Sequence, residues 1–176
     1  MDAILYWNNV SLEANRVSHT NGKEEQTGPT LSSRALAIVH LAMYDALAGV
    51  ENNPSFPHYL TGLPAPSPSA SADAAVAGAA YTTLLNLFPS QQDFFDTSLS
   101  AASLPNPSFD ERFNYGRTVA LAILDDRKNE KNEKRICSFS SEEGFKNLAM
   151  WGYYANGFKG IAIEIEVDEN IVKKVK

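Results

Sequence analysis

The sequence predicts a mainly α-helical fold, in which a helical bundle is followed by a small α+β segment. Three observations lead to this prediction. Apolar residues recur at three- and four-residue spacing through most of the first 126 residues, which is typical of one helical face. Clusters of proline, glycine and serine divide that pattern into separate helices. Near the end of the chain the pattern changes to strict alternation, which indicates a strand.

Polar or proline-rich connections separate five helices. These helices are predicted over residues 2–17, 28–50, 71–88, 90–104 and 109–126. Residues 51–70 hold five of the nine prolines and show no periodicity, so we expect a long extended connection there. Ser90 with Asp93, and Ser108 with Glu111, have the spacing of capping boxes and mark two helix starts.

The second helix is predicted to lie at the centre of the bundle, because its many alanines would let neighbouring helices approach closely. Pro29 and Thr30 are expected to set its start, and Ser32 and Ser33 are further candidates to cap it, because backbone N–H groups at a helix start lack partners. Gly49 is expected to end it. In the last helix, Gly116 is expected to mark a close crossing with another helix.

Composition and charge change at a short basic tract. Residues 1–126 carry five Lys and Arg against thirteen Asp and Glu, whereas residues 127–135 carry five against two. We therefore expect a helical bundle over 1–126, a basic linker over 127–135 and a small α+β segment over 136–176. The strand predicted at 160–167 cannot form a stable sheet alone. A homo-oligomer or a missing partner domain would supply its pairing partner.

Other features disfavour several classes of protein. The net charge of −6 argues against nucleic acid as a partner. No apolar run reaches the roughly 18 residues that a membrane helix needs, so no membrane partner is expected. The N-terminus has no visible signal peptide, which predicts a cytoplasmic protein if the chain is complete. The single Cys137 excludes an internal disulfide framework and a cysteine-based zinc site.

The candidate site residues are few. Glu13, His40 and Asp45 could form a carboxylate–histidine cluster of the kind that binds metal in helical bundles. The favoured alternative is that His40 and Asp45 are interior polar groups whose hydrogen bonds fix the helix packing, and no metal is expected. Arg34 is a further candidate, for which pairing with another helix is the favoured interpretation.

The C-terminal segment and the loops add further candidates. Trp151 and Tyr154 could form an aromatic platform for a ligand, although packing against the core or a partner is the favoured use. Cys137 follows two cationic residues, which can activate a thiol, but a packing role is favoured. His19 and His58 lie in predicted loops, and we expect a surface role for both.

Three blocks in the first half of the chain resemble one enzyme family. They are LYWNNVSLEANR at 5–16, GPTLSSRALAIVHLAMYDAL at 28–47 and RTVALAILDDR at 117–127. On these blocks, residues 1 to about 128 resemble the N-terminal helical part of bacterial vanadium-dependent haloperoxidases. The resemblance implies an all-helical architecture shared with certain acid phosphatases. For the family it also implies oxidation of halide by hydrogen peroxide at a protein-bound vanadate.

The residues that bind vanadate in that family have no counterpart in this sequence. The resemblance implies a His ligand to vanadium, with Lys, Arg, Ser and Gly around its oxygens, supplied by later helices that include a Pro-Ser-Gly-His block. No Pro-Ser-Gly-His occurs here, and all three histidines lie in the part that resembles the family's non-catalytic half. We therefore expect no cofactor in this chain, and no catalytic residue can be assigned.

The last part of the chain resembles a different family. The carrying motifs are C-S-F-S at 137–140, M-W-x-x-Y-A at 150–155 and G-x-x-I-x-I at 160–165. On these, residues 136 to about 175 resemble a fragment of an uncharacterised bacterial domain family. The chain thus joins two incomplete pieces at the basic tract, as a natural recombinant reading frame, an engineered chimera or a computed sequence would.

Three functions follow from these observations. The favoured one is the N-terminal helical scaffold of a haloperoxidase-like protein, which lacks the vanadate-binding half and is not catalytic alone. The second is a divergent haloperoxidase-like oxidoreductase that uses the 51–70 connection and unfamiliar residues. The third is an interaction or defence module inside the cell, in which the C-terminal segment carries the function.

Overall fold

The computed structural model describes residues 2–66, 71–102, 104 and 111–133. Within them lie α1 Ala3–Ser18, α2 Pro29–Glu51, α3 Ala72–Leu87, a 3-10 turn Pro89–Gln91, α4 Gln92–Ala101 and α5 Glu111–Glu133. All belong to one compact unit, Met1–Lys134. These helices confirm the mainly helical fold class. The predictions for residues 136–176 and the Ser108 cap lie outside the described residues.

The centre of the bundle is α3, and the prediction that the second helix lies there is wrong. The α3 helix is buried almost all round, and within it only Asp73 and Asn86 are exposed. It packs against all four other helices. The reason lies in its composition, because a helix that is apolar on every side must be surrounded by others. In contrast, α2 keeps an outward stripe that includes Ala37, His40 and Tyr44.

Two glycines allow α3 and α5 to cross at close range. A Cβ atom on Gly78 would overlap the backbone carbonyl of Phe113, and one on Gly116 would overlap the backbone carbonyl of Ala75. The predicted close crossing at Gly116 is therefore confirmed, and its partner is α3. Because backbone atoms face the glycines on both helices, no side chain could move aside to make room.

The helix α2 begins at Pro29, as expected, but its caps differ from those predicted. Its N-cap is Gly28, at φ 84°, without a side-chain hydrogen bond. Ser32 donates instead to the carbonyl of Gln26 at 2.9 Å, and Ser33 donates to the carbonyl of Pro29 at 2.7 Å. The helix also continues past Gly49 to Glu51, and its C-cap is Asn52, whose left-handed φ of 45° closes it.

The start of α4 is also held by a distant residue. The predicted capping box of Ser90 and Asp93 does not form, because Glu25 binds Ser90 from the loop between α1 and α2. Its Oε1 accepts from the Ser90 backbone N–H at 2.7 Å and its Oε2 from the hydroxyl at 2.8 Å. Gln91 is the residue at the N-cap of α4, and its side chain makes no capping bond.

The last helix runs seven residues beyond its predicted end, from 126 to Glu133. The first part of the basic tract 127–135 is therefore helical, because Arg, Lys and Glu are good helix formers and no glycine or proline interrupts them. The domain boundary placed at this tract stays a prediction. In the described part of the chain, no helix combines the length and apolarity that a bilayer span requires.

Candidate functional site

Glu13, His40 and Asp45 do not come together. The Glu13 carboxylate forms a two-bond ion pair with Arg16 on its own helix, with the shorter bond at 2.7 Å. His40 is exposed rather than interior, and its Nε2 lies 3.1 Å from Oδ1 of Asn8 on α1. Within the described residues, no group of three His, Cys, Asp or Glu side chains is arranged to hold a metal ion.

Asp45 is a buried polar residue on the side of α2 that faces the long connection after this helix. Its side chain is fully buried. Oδ1 accepts from the backbone N–H of Tyr59 at 2.6 Å, and Oδ2 accepts from that of Leu60 at 2.9 Å. We call residues 52–66 the strap, because this carboxylate fastens them to α2. Asp45 is buried, as predicted, but its hydrogen bonds hold the strap rather than another helix, and the interior position predicted for His40 is wrong.

Burial raises the pKa of the Asp45 carboxyl, against the opposing effects of the Leu60 hydrogen bond and the nearby His58. The His58 Nδ1 lies 4.0 Å from Asp45 Oδ1, and the imidazole is partly exposed. His58 was expected to lie at the surface; it is exposed, and it also lies at the edge of the polar site around Asp45. The carboxylate is therefore stabilised in place mainly by two backbone N–H groups.

Tyr115 closes the site from α5. It is 6% exposed, and its hydroxyl has no hydrogen-bond partner among the described residues. Burial and the Asp45 charge raise the pKa of the Tyr115 phenol. A Cβ atom on Gly49 would overlap this hydroxyl and lie 3.1 Å from Cε1 of His58. Gly49 is therefore a point of close approach between α2, α5 and the strap.

Arginine residues tie the strap and the helices together from outside. The Arg34 guanidinium donates from Nη2 to the backbone carbonyl of Arg127 at 3.0 Å, which agrees with the expected pairing with another helix. The Arg127 guanidinium lies 4.7 Å above the ring of Tyr59, a cation–π contact to the strap. Its Nε also lies 3.5 Å from Asp126.

His19 has a structural role at the loop that follows α1. Its Nδ1 lies 2.7 Å from the carbonyl of Asn15, and its Nε2 accepts from the backbone N–H of Gly28 at 3.3 Å. These bonds are satisfied together when the proton is on Nδ1. The other sequence candidates, Cys137, Trp151 and Tyr154, lie outside the described residues.

The Asp45 site can hold backbone in place, but three arginines on α1, α2 and α5 do not form a vanadate site. An oxyanion of this charge needs several cations and amides that converge on it. Arg16 is paired with Glu13, Arg34 donates to a helix carbonyl, and Arg127 covers an aromatic ring. The three arginines come from three different helices, and each is already engaged with protein groups.

Helical spacing singled out Asp45 but not its partners. His58 and Tyr115 were missed as parts of the site because they come from the strap and from α5, which the sequence alone could not place beside α2. One signal was present: an aspartate in the middle of an apolar helical face has to find buried donors. The proline-rich connection that follows it directly was the nearest source of free backbone N–H groups.

Comparisons with known proteins agree with the helical architecture and with the three sequence blocks. Residues 1–138 match the family described as the vanadium chloroperoxidase N-terminal domain. The vanadium chloroperoxidase of Curvularia inaequalis is 35% identical over 132 residues, which cover 70% of this chain and 20% of that protein. The chain therefore spans about a fifth of the length of this relative. The resemblance to the N-terminal helical part of the haloperoxidases is confirmed: this chain belongs to the vanadium chloroperoxidase N-terminal domain family.

Proposed function

We propose that this chain is the non-catalytic helical scaffold of a haloperoxidase-like protein, and that vanadate is bound by polypeptide other than these helices. The observation that carries the proposal is the extent of the match. Only the N-terminal domain of the family is matched, and the similarity covers 20% of the Curvularia inaequalis chloroperoxidase. The Pro-Ser-Gly-His block, which the resemblance places in the vanadate-binding half, is absent from the sequence.

The contacts in the bundle support a scaffolding role. Asp45 is engaged by two backbone N–H groups, and Arg34 is engaged by a helix carbonyl. Side chains that already hydrogen-bond to backbone groups hold the helices and the strap together. They are poorly placed to accept a proton from a substrate or to donate one to it. A rigid bundle of this kind can support a catalytic unit by providing a surface of fixed shape.

A bromination assay on the intact chain tests this proposal. The chain is incubated with vanadate, hydrogen peroxide and bromide, and formation of a brominated dye is followed. We expect the rate to equal that of the same vanadate concentration without protein. A rate clearly above that background, saturable in vanadate and lost after heat unfolding, would show that the chain has its own active site and would favour a divergent oxidoreductase.

A matched variant separates specific from adventitious turnover. Arg34→Gln removes the charge and keeps a polar side chain with an N–H donor. If the wild-type chain shows turnover and Arg34→Gln loses it, the scaffold proposal is wrong and an arginine-dependent vanadate site exists. We expect equal rates for the wild-type chain, for Arg34→Gln and for vanadate without protein.

A further inference from the structure

The outward surface of α1 carries two large apolar side chains on one stripe. Leu5 is 62% exposed and Leu12 is 48% exposed. The two positions differ by seven, which places both side chains on the same side of the helix, two turns apart. Asn8 lies one turn from each, and its Oδ1 is 3.1 Å from Nε2 of His40 on α2. The exposed stripe of α1 therefore continues directly onto α2.

On α2 the surface continues towards the strap. Tyr44 lies one turn beyond His40 and is 38% exposed. Its hydroxyl donates to the Pro57 carbonyl at 2.9 Å, and the neighbouring Phe56 is 52% exposed. We call the continuous surface through these residues the α1–α2 face. Its members are Leu5, Leu12, His40, Tyr44 and Phe56.

The parts of α1 and α2 that form this face are almost free of charge, and the exposed Glu13–Arg16 ion pair begins directly after Leu12. There is no Asp, Glu, Lys or Arg from Ala3 to Leu12, and between Ala35 and Val50 there is only the buried Asp45. In contrast, α5 presents Leu121, which is 52% exposed, on a helix with several acidic and basic residues. Depletion of charge together with exposed aromatic and apolar side chains is typical of the centre of an interface.

We propose that the α1–α2 face docks the vanadate-binding part of a haloperoxidase-like protein. This inference rests on the proposed scaffold function. The length of the relative indicates the occupant, because the similarity covers only 20% of the chloroperoxidase. A scaffold for the remaining, larger part must offer it a contact surface. It is also indicated by character, since permanent protein–protein interfaces are more apolar than transient ones.

Hydroxyl-radical footprinting tests which surface becomes covered. The two samples are the intact chain and a chimera, in which residues 1–134 replace the matched segment of the Curvularia inaequalis chloroperoxidase. We expect the modification rates of Leu12, Tyr44 and Phe56 to fall at least fivefold in the chimera. The rate at Leu121 should stay the same in both samples.

The outcomes separate this inference from the proposed function. A chimera that binds vanadate but leaves Leu12, Tyr44 and Phe56 as reactive as in the intact chain overturns the docking face alone. A chimera that folds but binds no vanadate overturns the proposed scaffold function and this inference with it. The intact chain could instead sediment as a dimer and already show low modification rates at Leu12, Tyr44 and Phe56. That result would mean that a second copy of the chain, and not a vanadate-binding part, covers the face.

Substitutions provide an independent readout of the same contact. Leu12→Glu places a carboxylate on the α1–α2 face, and Ala37→Glu places one directly beside it, one turn before His40 on the outward stripe of α2. Leu121→Glu is the matched control on α5. In the intact chain all three should keep the wild-type melting temperature within about 2 °C, because the sites are exposed. In the chimera, the first two should weaken vanadate binding at least tenfold and the control should not. Equal binding by all three variants contradicts the proposal.

Discussion

The α3–α5 crossing and the Asp45–strap junction hold the same bundle together in opposite ways. At the crossing, Gly78 and Gly116 remove side chains so that backbones can meet. At the junction, one buried carboxylate supplies the acceptors for two N–H groups of the strap. The first contact depends on shape and tolerates no added atom. The second depends on polar partners and tolerates a change of shape better than a loss of acceptors.

This difference indicates which kind of substitution should destabilise the fold at each contact. Close-packed backbones cannot relax around a new methyl group, whereas a phenol or a surface strap can shift. A buried N–H group without an acceptor has lost its hydrogen bond to water and has no other hydrogen bond to replace it. The predictions below use substitutions that separate these two effects, and they run from the largest expected change in stability to the smallest.

The strongest effect is expected for Gly78→Ala. Its Cβ atom would overlap the backbone of Phe113, so α3 and α5 must separate, and we expect a loss of about 3 kcal/mol in the free energy of unfolding. Urea denaturation of the intact chain measures it. Gly22→Ala is the control, since at φ 71° it has no neighbour within 4 Å and should cost only about 1 kcal/mol through strain. Equal losses for both variants would mean that close packing at the crossing is unimportant.

Asp45→Ala should have the next largest effect. It leaves the N–H groups of Tyr59 and Leu60 without acceptors, and we expect a loss of about 2 kcal/mol. The strap should also be cut faster by chymotrypsin, because its fastening is gone. Asp93→Ala, on the exposed start of α4, is the control and should cost under about 1 kcal/mol. A strap that resists chymotrypsin equally in wild type and Asp45→Ala would show that other contacts hold it.

Gly49→Ala should have a smaller effect, although it also adds one methyl group. The nearest atom is the hydroxyl at the end of the Tyr115 side chain, which can shift, so we expect a loss of about 1 kcal/mol. Removing that hydroxyl should relieve the worst overlap and leave the Tyr115 ring carbon Cζ, 2.9 Å from the added methyl group, to shift by a few tenths of an ångström. The double variant Gly49→Ala with Tyr115→Phe is therefore expected to regain most of the lost stability. No recovery in the double variant would show that the overlap involves more than the phenol.

The smallest effect is the pH dependence that Asp45 contributes. Its folded pKa is raised by burial above the ordinary 3.8. Its contribution to stability is therefore greatest below pH 3.8 and is lost as the pH rises through the raised value. We expect the stability of wild type relative to Asp45→Asn to fall over that range, measured by urea denaturation at several pH values. A difference that is constant or grows with pH would contradict the raised pKa.

The helices themselves were largely predictable from the spacing of apolar residues. The first was placed at 2–17 and runs Ala3–Ser18, and the third was placed at 71–88 and runs Ala72–Leu87. Local patterns suffice there, because α1 buries one continuous face and α3 is an apolar run buried almost all round. The centre of the bundle was misplaced because the alanines of α2 and α3 look alike, and only the outward stripe with His40 and Tyr44 tells them apart.

Caps and the polar site were harder to predict, because their partners lie far away in the sequence. Ser90 looked like a helix cap but binds Glu25, and Ser32 binds Gln26 across the start of its helix. Asp45 was recognised as an interior group, but its donors come from Tyr59 and Leu60, whose position depends on how the strap returns to α2. Local spacing carries no information about that return.

Vanadate titration of the intact chain, followed by ⁵¹V NMR, tests the central claim most directly. A scaffold without its own oxyanion site should leave the vanadate resonance unshifted and unbroadened beyond the effect of a protein of similar charge. The Curvularia inaequalis chloroperoxidase serves as the positive control. A saturable loss of the free resonance with one vanadate per chain, reversed by phosphate, would contradict the account and place a vanadate site within these 176 residues.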